Sequence, residues 1–186
     1  MAVLLVAVGA VIVWTAQSDS AEPGDIDAAA VGDFCGLVDV RPLVQLTPVE
    51  EGREDRSSPE ADPPRFGCEV KLLGHEEATR YLAVTLLVDV RVEADIGDAR
   101  EAYAGAVDFE ESEGLTVSGL ETAADEAGFV VVVESPEVRE YRAHVRDSNG
   151  VASVSLVITG DGLGAAEARD LLPAIAQGTL DVMGSE

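Results

Sequence analysis

A run of alternating side chains between residues 80 and 92 constrains the fold of this chain more than any other stretch. Within "RYLAVTLLVDVRV", aliphatic residues occupy every even position: Leu82, Val84, Leu86, Val88, Val90 and Val92. Successive side chains of a β-strand point to opposite faces, so the pattern predicts a long strand with one buried face. The segment "FGCEVKLL", residues 66–73, alternates in the same way. We expect these two strands to form an antiparallel hairpin.

A second hairpin is predicted further along the chain. The dipeptide Asn149-Gly150 separates "VREYRAHVRD" from "VASVSLVIT", and this dipeptide is typical of a two-residue turn between paired strands. The segment "GFVVVVE" before them predicts one more strand.

Three segments have helical rather than alternating spacing. The first is the short apolar stretch that follows Cys35, and the second is "GDAREAYAGAVDFEE", with Asp98 as its expected cap. The third runs from about Gly164 to Val182, where we expect Pro173 to kink or divide it. Its side chains expected toward the core are Leu171, Leu172, Ile175 and Leu180. The elements together predict an α+β fold with a mostly antiparallel sheet of about five strands covered by helices.

The N-terminus predicts a membrane anchor ahead of this domain. Residues 2–16 are apolar or nearly so and would form a helix of about 22 Å, against a bilayer core of roughly 30 Å. A cleaved signal peptide and a buried core helix remain as alternatives, as does a start site further upstream. We expect residues 1–18 to form the transmembrane or signal-anchor segment, residues 19–32 an acidic linker, and residues 33–184 the extracytoplasmic domain. Secretion after cleavage is the alternative localisation.

The charge of the chain limits its partners. There are 36 acidic residues against 12 basic ones, for a net charge of -24. A surface of this charge repels phosphate backbones, so nucleic acid is not an expected partner.

The two cysteines, Cys35 and Cys68, have four possible roles. Lipidation is excluded because Cys35 lies about twenty residues beyond the apolar segment, and no zinc-binding spacing is formed with His75 and His144. A catalytic cysteine would need a histidine placed beside it by the fold. In an exported chain the simplest interpretation is a disulfide. It would confine the Pro-rich acidic loop predicted at residues 47–65 and stabilise the fold by roughly 3 to 4 kcal/mol.

Several segments taken together resemble a known group of proteins. These segments are "FCGLVDVRPLV", "FGCEV", "SGLETAADEAGFVV", "HVRDSNGVASVSLV" and "AEARDLLPAIAQGTLDVM". In this order they resemble small actinobacterial envelope proteins, which are lipoprotein-like or secreted domains of unknown function. That group is similar in layout to the extracellular sensor domain of a mycobacterial serine/threonine kinase. The resemblance covers about residues 33–184 and implies an extracytoplasmic, non-catalytic domain, although the lipobox that its members often carry is missing.

One strip of polar side chains is the candidate binding site. Alternation places Arg142, His144 and Arg146 on the face of their strand that we expect to be turned to solvent, with Ser153 and Ser155 on the same side across the hairpin. We call these five residues the Arg-His strip. Its cations favour a small anionic ligand, and the alternative is a solvated face neutralised by nearby acids.

The sequence predicts no catalytic residues, cofactor or metal site. The glycines of "TGDGLGA" match a dinucleotide-binding pattern, but no second strand follows the helix after them. We expect a non-enzymatic, membrane-tethered module of the cell envelope that binds, senses or interacts. The alternatives are a structural subunit that docks on another envelope protein, and a carboxylate-dependent hydrolase with a cleft of converging acids or His144 beside a nucleophile.

Overall fold

A seven-stranded antiparallel sheet forms the centre of the protein in a computed structural model that describes residues 22–44, 49–74, 83–160 and 163–184. The helices are α1 (Phe34–Leu37), α2 (Arg41–Val44), α3 (Ile96–Ser112) and α4 (Ala165–Met183). The strands are β1 (Val49–Asp55), β2 (Arg65–Leu73), β3 (Ala83–Val92), β4 (Val117–Gly119), β5 (Glu126–Glu134), β6 (Val138–Asp147) and β7 (Gly150–Thr159). The predicted α+β class is confirmed, with two more strands than expected.

The strands follow the order β1-β2-β3-β7-β6-β5-β4 across the sheet. Each neighbouring pair is antiparallel, including the predicted β2–β3 and β6–β7 pairs. The pairing of β3 with β7 joins the two halves of the chain at the middle of the sheet. Because β3 and β7 are neighbours in the middle of the sheet, the buried side chains of both strands lie within the core.

One face of the sheet carries the hydrophobic core, which α4 and the N-terminal helices cover. The even-numbered residues of β3 from Val84 to Val92 are buried there, as the alternation predicted, while Leu82 lies outside the described residues. Leu172, Ile175 and Leu180 of α4 pack into the same core. Pro173 does not divide α4, which is a single helix from Ala165 to Met183.

The other face of the sheet is partly covered by α3, which packs on β6 and β7. The cap of this helix is Asp95, whose side chain accepts a hydrogen bond from the backbone N–H of Asp98 at 2.9 Å. Asp98 itself lies in the first helical turn, where its charge is favourable near the helix N-terminus. The expected cap was therefore wrong by three residues.

The β6–β7 turn is one residue away from its predicted position. Asp147 pairs with Gly150, so the two turn residues are Ser148 and Asn149, and Ser148 adopts a φ of 51°. The buried Asn149 side chain accepts from the backbone N–H of Ile26 and donates to the backbone oxygens of Ile26 and Glu93. This side chain joins the N-terminal segment to the hairpin, which explains why an asparagine is used here.

The folded domain begins before residue 33. Ile26 and Val31 are buried in the main core, within the segment that we predicted as an acidic linker. The predicted anchor at residues 1–18 and the start of the linker lie outside the described residues. Among the helices that the structure describes, none is long and apolar enough to cross a membrane.

Part of the predicted acidic loop at residues 47–65 is a β-strand. β1 pairs with β2 along the edge of the sheet, and its side chains are exposed throughout. Arg53 of β1 donates hydrogen bonds to the backbone oxygens of Cys35 and Val38. These bonds connect the edge strand to α1, so this part of the segment is not an unattached loop.

The predicted disulfide is confirmed. Cys35 of α1 and Cys68 of β2 are bonded, with their Cα atoms 5.2 Å apart and a separation of 33 positions in sequence. Both cysteines are buried in the core, next to the contact between the rings of Phe34 and Phe66. The bond fastens α1, a helix of only four residues, to the sheet.

We expect the double variant Cys35→Ala, Cys68→Ala to lose about 3 to 4 kcal/mol of unfolding free energy, because the unfolded chain is no longer cross-linked. Urea denaturation followed by far-ultraviolet circular dichroism measures this change. Reduction of the wild-type protein is the matched control and should produce a similar loss. An unchanged urea midpoint in the double variant would contradict the stabilising role.

Candidate functional site

The structure brings the five residues of the Arg-His strip together on one face of the sheet. Across the β6–β7 pair, Arg142 lies opposite Ser155 and His144 lies opposite Ser153. The expected register of the strip is therefore confirmed.

The expectation that this face is open to solvent was wrong. Helix α3 packs over it, and only 5% of His144 and 4% of Arg146 is exposed. The reason is that α3 has a stripe of small apolar residues that needs a surface to pack on, and the second face of the sheet provides it. Arg142 retains partial exposure, at 31% of its side chain.

Arg146 is fully engaged by acids of the same protein. Its guanidinium donates to the carboxylates of Asp125 and Glu126 and to the backbone oxygen of Ser148. Because its side chain is almost entirely buried among these partners, Arg146 is not available to a ligand in this conformation. It fastens the start of β5 to the β6–β7 turn.

Arg142 lies between two carboxylates. Its guanidinium donates to Glu110 of α3 at 2.9 Å and to Glu140 of β6 at 2.7 Å. Burial is the largest single effect and lowers the pKa of Arg142. The hydrogen bonds and charges of Glu110 and Glu140 together outweigh it, so the pKa is raised. An anionic ligand would have to displace one of these carboxylates to reach the guanidinium.

His144 is hydrogen-bonded on both ring nitrogens. Its Nε2 lies 3.2 Å from Oε1 of Glu110, and its Nδ1 lies 2.9 Å from Oγ of Ser153. Burial lowers the pKa of His144, and the hydrogen bond to Glu110 opposes this effect only in part. The carboxylate of Glu110 can only accept a hydrogen bond. In the neutral ring, Nε2 therefore carries the proton and Nδ1 accepts from the Ser153 hydroxyl.

A groove of about 450 Å³ lies between α3 and the sheet beside these residues. We call it the α3 groove. Its polar floor consists of Arg142, His144, Ser153 and Ser155. Its apolar walls are Leu87, Val157, Ala106 and Phe109, and Phe109 is 59% exposed. A volume of this size, with apolar walls and a few convergent polar groups, is typical of a small-molecule site.

Asp89 is a further acid at the border of the groove. It lies on β3 between Gly67 of β2 and Ser153 of β7 in the cross-strand register. Partial desolvation raises the pKa of the Asp89 carboxyl, while the charge of Arg56 opposes the shift. Together with Glu110 and Glu140, it gives the groove three carboxylates against one arginine.

Sequence reasoning missed Glu110, on which the site depends. Only 2% of this residue is exposed, and it faces the sheet from α3. The signal was available, because position 110 continues the spacing of Ala99, Ala106 and Val107 on the inner side of the helix. An acid on the buried face of an amphipathic helix indicates a buried partner of opposite charge.

The described parts of the chain contain no group of three or more histidine, cysteine, aspartate or glutamate side chains arranged to hold a metal ion. No protein-family model matches this chain, and no curated protein matches it.

The buried imidazole predicts a specific pH dependence. Because the folded-state pKa of His144 is lowered from 6.5, its stabilising contribution is complete above that pH and is lost as the pH falls through the lowered value. We therefore expect the wild-type unfolding free energy to fall between pH 7.5 and 5.5 by more than that of His144→Gln. Each unit of pKa lowering corresponds to about 1.4 kcal/mol. Urea titrations across this range, with Ser155→Ala as control, measure it, and equal pH dependence in wild type and His144→Gln would contradict the assignment.

Proposed function

We propose that this chain is a membrane-tethered, extracytoplasmic binding module of the cell envelope, with its ligand in the α3 groove. The observation that carries the proposal is the groove itself, which has room for a small molecule and has polar groups converging on its floor. The binding role requires no catalysis.

The disulfide supports an extracytoplasmic location. Bonds of this kind persist in oxidising compartments and are rare in the cytosol. Cys35 and Cys68 are joined and buried, and the chain has no other cysteine. The apolar residues 2–16 and the resemblance to actinobacterial envelope proteins support the same location and the tether.

The charges of the α3 groove favour a ligand without negative charge. Asp89, Glu110 and Glu140 outnumber Arg142, and His144 is kept neutral by burial. A small molecule with an apolar body and an uncharged or cationic polar group fits these surroundings better than the anion favoured by the sequence. The net charge of -24 likewise disfavours nucleic acid as a partner.

Docking on another envelope protein is the second candidate function. Strand β4 pairs only with Gly128, Phe129 and Val130 of β5. It therefore does not cover the edge of β5 from Val131 onward. Val131 and Val133 are exposed there at 38% and 42%. An uncovered strand edge of this kind can pair with a strand of a partner.

We expect the chain to be retained in washed membranes with its domain outside the cell. Trp14 is the only tryptophan, so tryptophan emission in the membrane fraction reports retention of the N-terminal segment. Without reductant, Cys35 and Cys68 should resist alkylation, and protease added to intact spheroplasts should digest the domain. A cytosolic marker protein is the control for intact cells. Free thiols in a protease-resistant domain would contradict the location, and a soluble form lacking Trp14 would contradict the tether.

We expect the wild-type chain purified from its native envelope to carry an additional small-molecule mass in native mass spectrometry. Leu87→Arg should lose this mass, because the arginine side chain occupies the α3 groove. Val133→Arg places the same side chain on the exposed edge of β5 and is the matched control, which should retain the mass. A wild-type chain without bound mass would contradict ligand binding. Loss of the mass in Val133→Arg alone would assign binding to the β5 edge.

A further inference from the structure

The α3 groove contains a hydrogen-bonded chain of a serine, a histidine and a carboxylate. Ser153 Oγ lies 2.9 Å from Nδ1 of His144, and Nε2 of the same ring lies 3.2 Å from Oε1 of Glu110. Ser153 and His144 line the groove, and Ser153 is half-buried on its floor. A hydroxyl, an imidazole and an orienting carboxylate in this sequence are the parts of an activated serine nucleophile.

The protonation states of the three groups suit this chemistry. The Ser153 hydroxyl donates to Nδ1 of His144, which holds a free electron pair when Nε2 carries its proton toward Glu110. Burial keeps the ring neutral at neutral pH, so it is ready to accept a proton. Glu110 is a positioning residue here, and its own orientation is fixed by Arg142 at 2.9 Å.

The neighbouring serine provides an internal comparison. Ser155 lies two residues further along the same face of β7 and lines the same groove. Its cross-strand partner is Arg142, whereas that of Ser153 is His144. The two hydroxyls therefore share a surface and a cavity but differ in the presence of a base.

We propose that Ser153 is a nucleophile that accepts acyl groups and that the α3 groove is a site of ester cleavage. This activity goes beyond the proposed binding role and does not depend on the membrane tether. Ser153 is the nucleophile beside His144 that the hydrolase alternative requires.

The reaction balances with water as the only co-reactant. Ser153 Oγ forms a bond to the ester carbonyl carbon while His144 Nδ1 takes the hydroxyl proton. The carbon–oxygen bond to the alcohol then breaks, and the departing alcohol takes that proton from His144. Water attacks the acyl-serine, gives one proton to His144 and releases the acid, and the proton returns to Ser153 Oγ.

The walls of the groove define the substrate class. Leu87, Val157 and Phe109 surround the floor with apolar surface, which suits an aliphatic or aromatic acyl chain. The carboxylates of Asp89 and Glu140 repel a substrate that carries a negative charge. The expected substrates are small, apolar esters without an anionic group.

An alkyl fluorophosphonate tests the nucleophile directly on the full chain. Attack by Ser153 forms an oxygen–phosphorus bond and releases fluoride, and tandem mass spectrometry of the product distinguishes Ser153 from Ser148 and Ser155. We expect one label per chain, located on Ser153. Ser153→Ala should abolish the label, and His144→Gln should slow labelling about 100-fold. Val133→Arg, on the exposed edge of β5 and outside the α3 groove, should keep the wild-type rate within about twofold.

The pH profile distinguishes attack by Ser153 with His144 as general base from attack by a serine that has no base. In the wild type, the labelling rate should rise through the lowered pKa of His144 and be constant above pH 6.5. In His144→Gln it should rise with hydroxide concentration over the whole range. With p-nitrophenyl butyrate, the wild type should release a burst of about one p-nitrophenolate per chain, and Ser153→Ala should release none. Thermal unfolding of each variant identifies any loss caused by misfolding.

Three results would overturn the proposal. The first is a folded wild-type chain that takes up no fluorophosphonate. The second is labelling of Ser148 or Ser155 in place of Ser153, and the third is equal labelling of wild type and Ser153→Ala.

Discussion

Glu110 is a buried carboxylate on which the second face of the sheet depends. It reaches from α3 to the strands and accepts hydrogen bonds from Arg142 and His144. Burying a charge is unfavourable unless hydrogen-bonded partners compensate for the lost water. The inner side of α3 consists mainly of alanines, which bury little area, so this polar contact has a large part in locating the helix. Removal of Glu110 would leave Arg142 with one partner and the imidazole with its serine contact alone.

The two faces of the sheet therefore have different roles. The first face is apolar and closed by α4, and it provides the stability on which the rest is built. The second face carries Arg142, His144 and Ser153 under a helix that covers only part of it. A polar floor beside an incompletely covered sheet produces a groove, whereas a fully apolar face would have closed over it. The same arrangement that pairs the arginines with acids also leaves the groove with an excess of carboxylates.

The alternating and helical patterns predicted most of the fold because they reflect burial on one side of an element. β1 escaped prediction since all its side chains are exposed, and β4 since it has only three residues. Alternation predicted the register of the Arg-His strip. It could not predict that the strip is buried, because no local signal says which helix covers which face of the sheet. Glu110 could have been found from its position on α3. Asp89 required knowledge of the strand order, which sets it beside Ser153.

The attachment of the N-terminal segment has a mechanical consequence. The backbone N–H of Ile26 donates to the side chain of Asn149, and the backbone N–H of Asp25 donates to the hydroxyl of Ser148. The backbone oxygen of Glu22 accepts from the backbone N–H of Ile96 at the start of α3. A pulling force applied through residue 22 therefore reaches both the β6–β7 turn and the first residue of the helix that walls the groove. Tension along the chain would load these hydrogen bonds before it loads the disulfide.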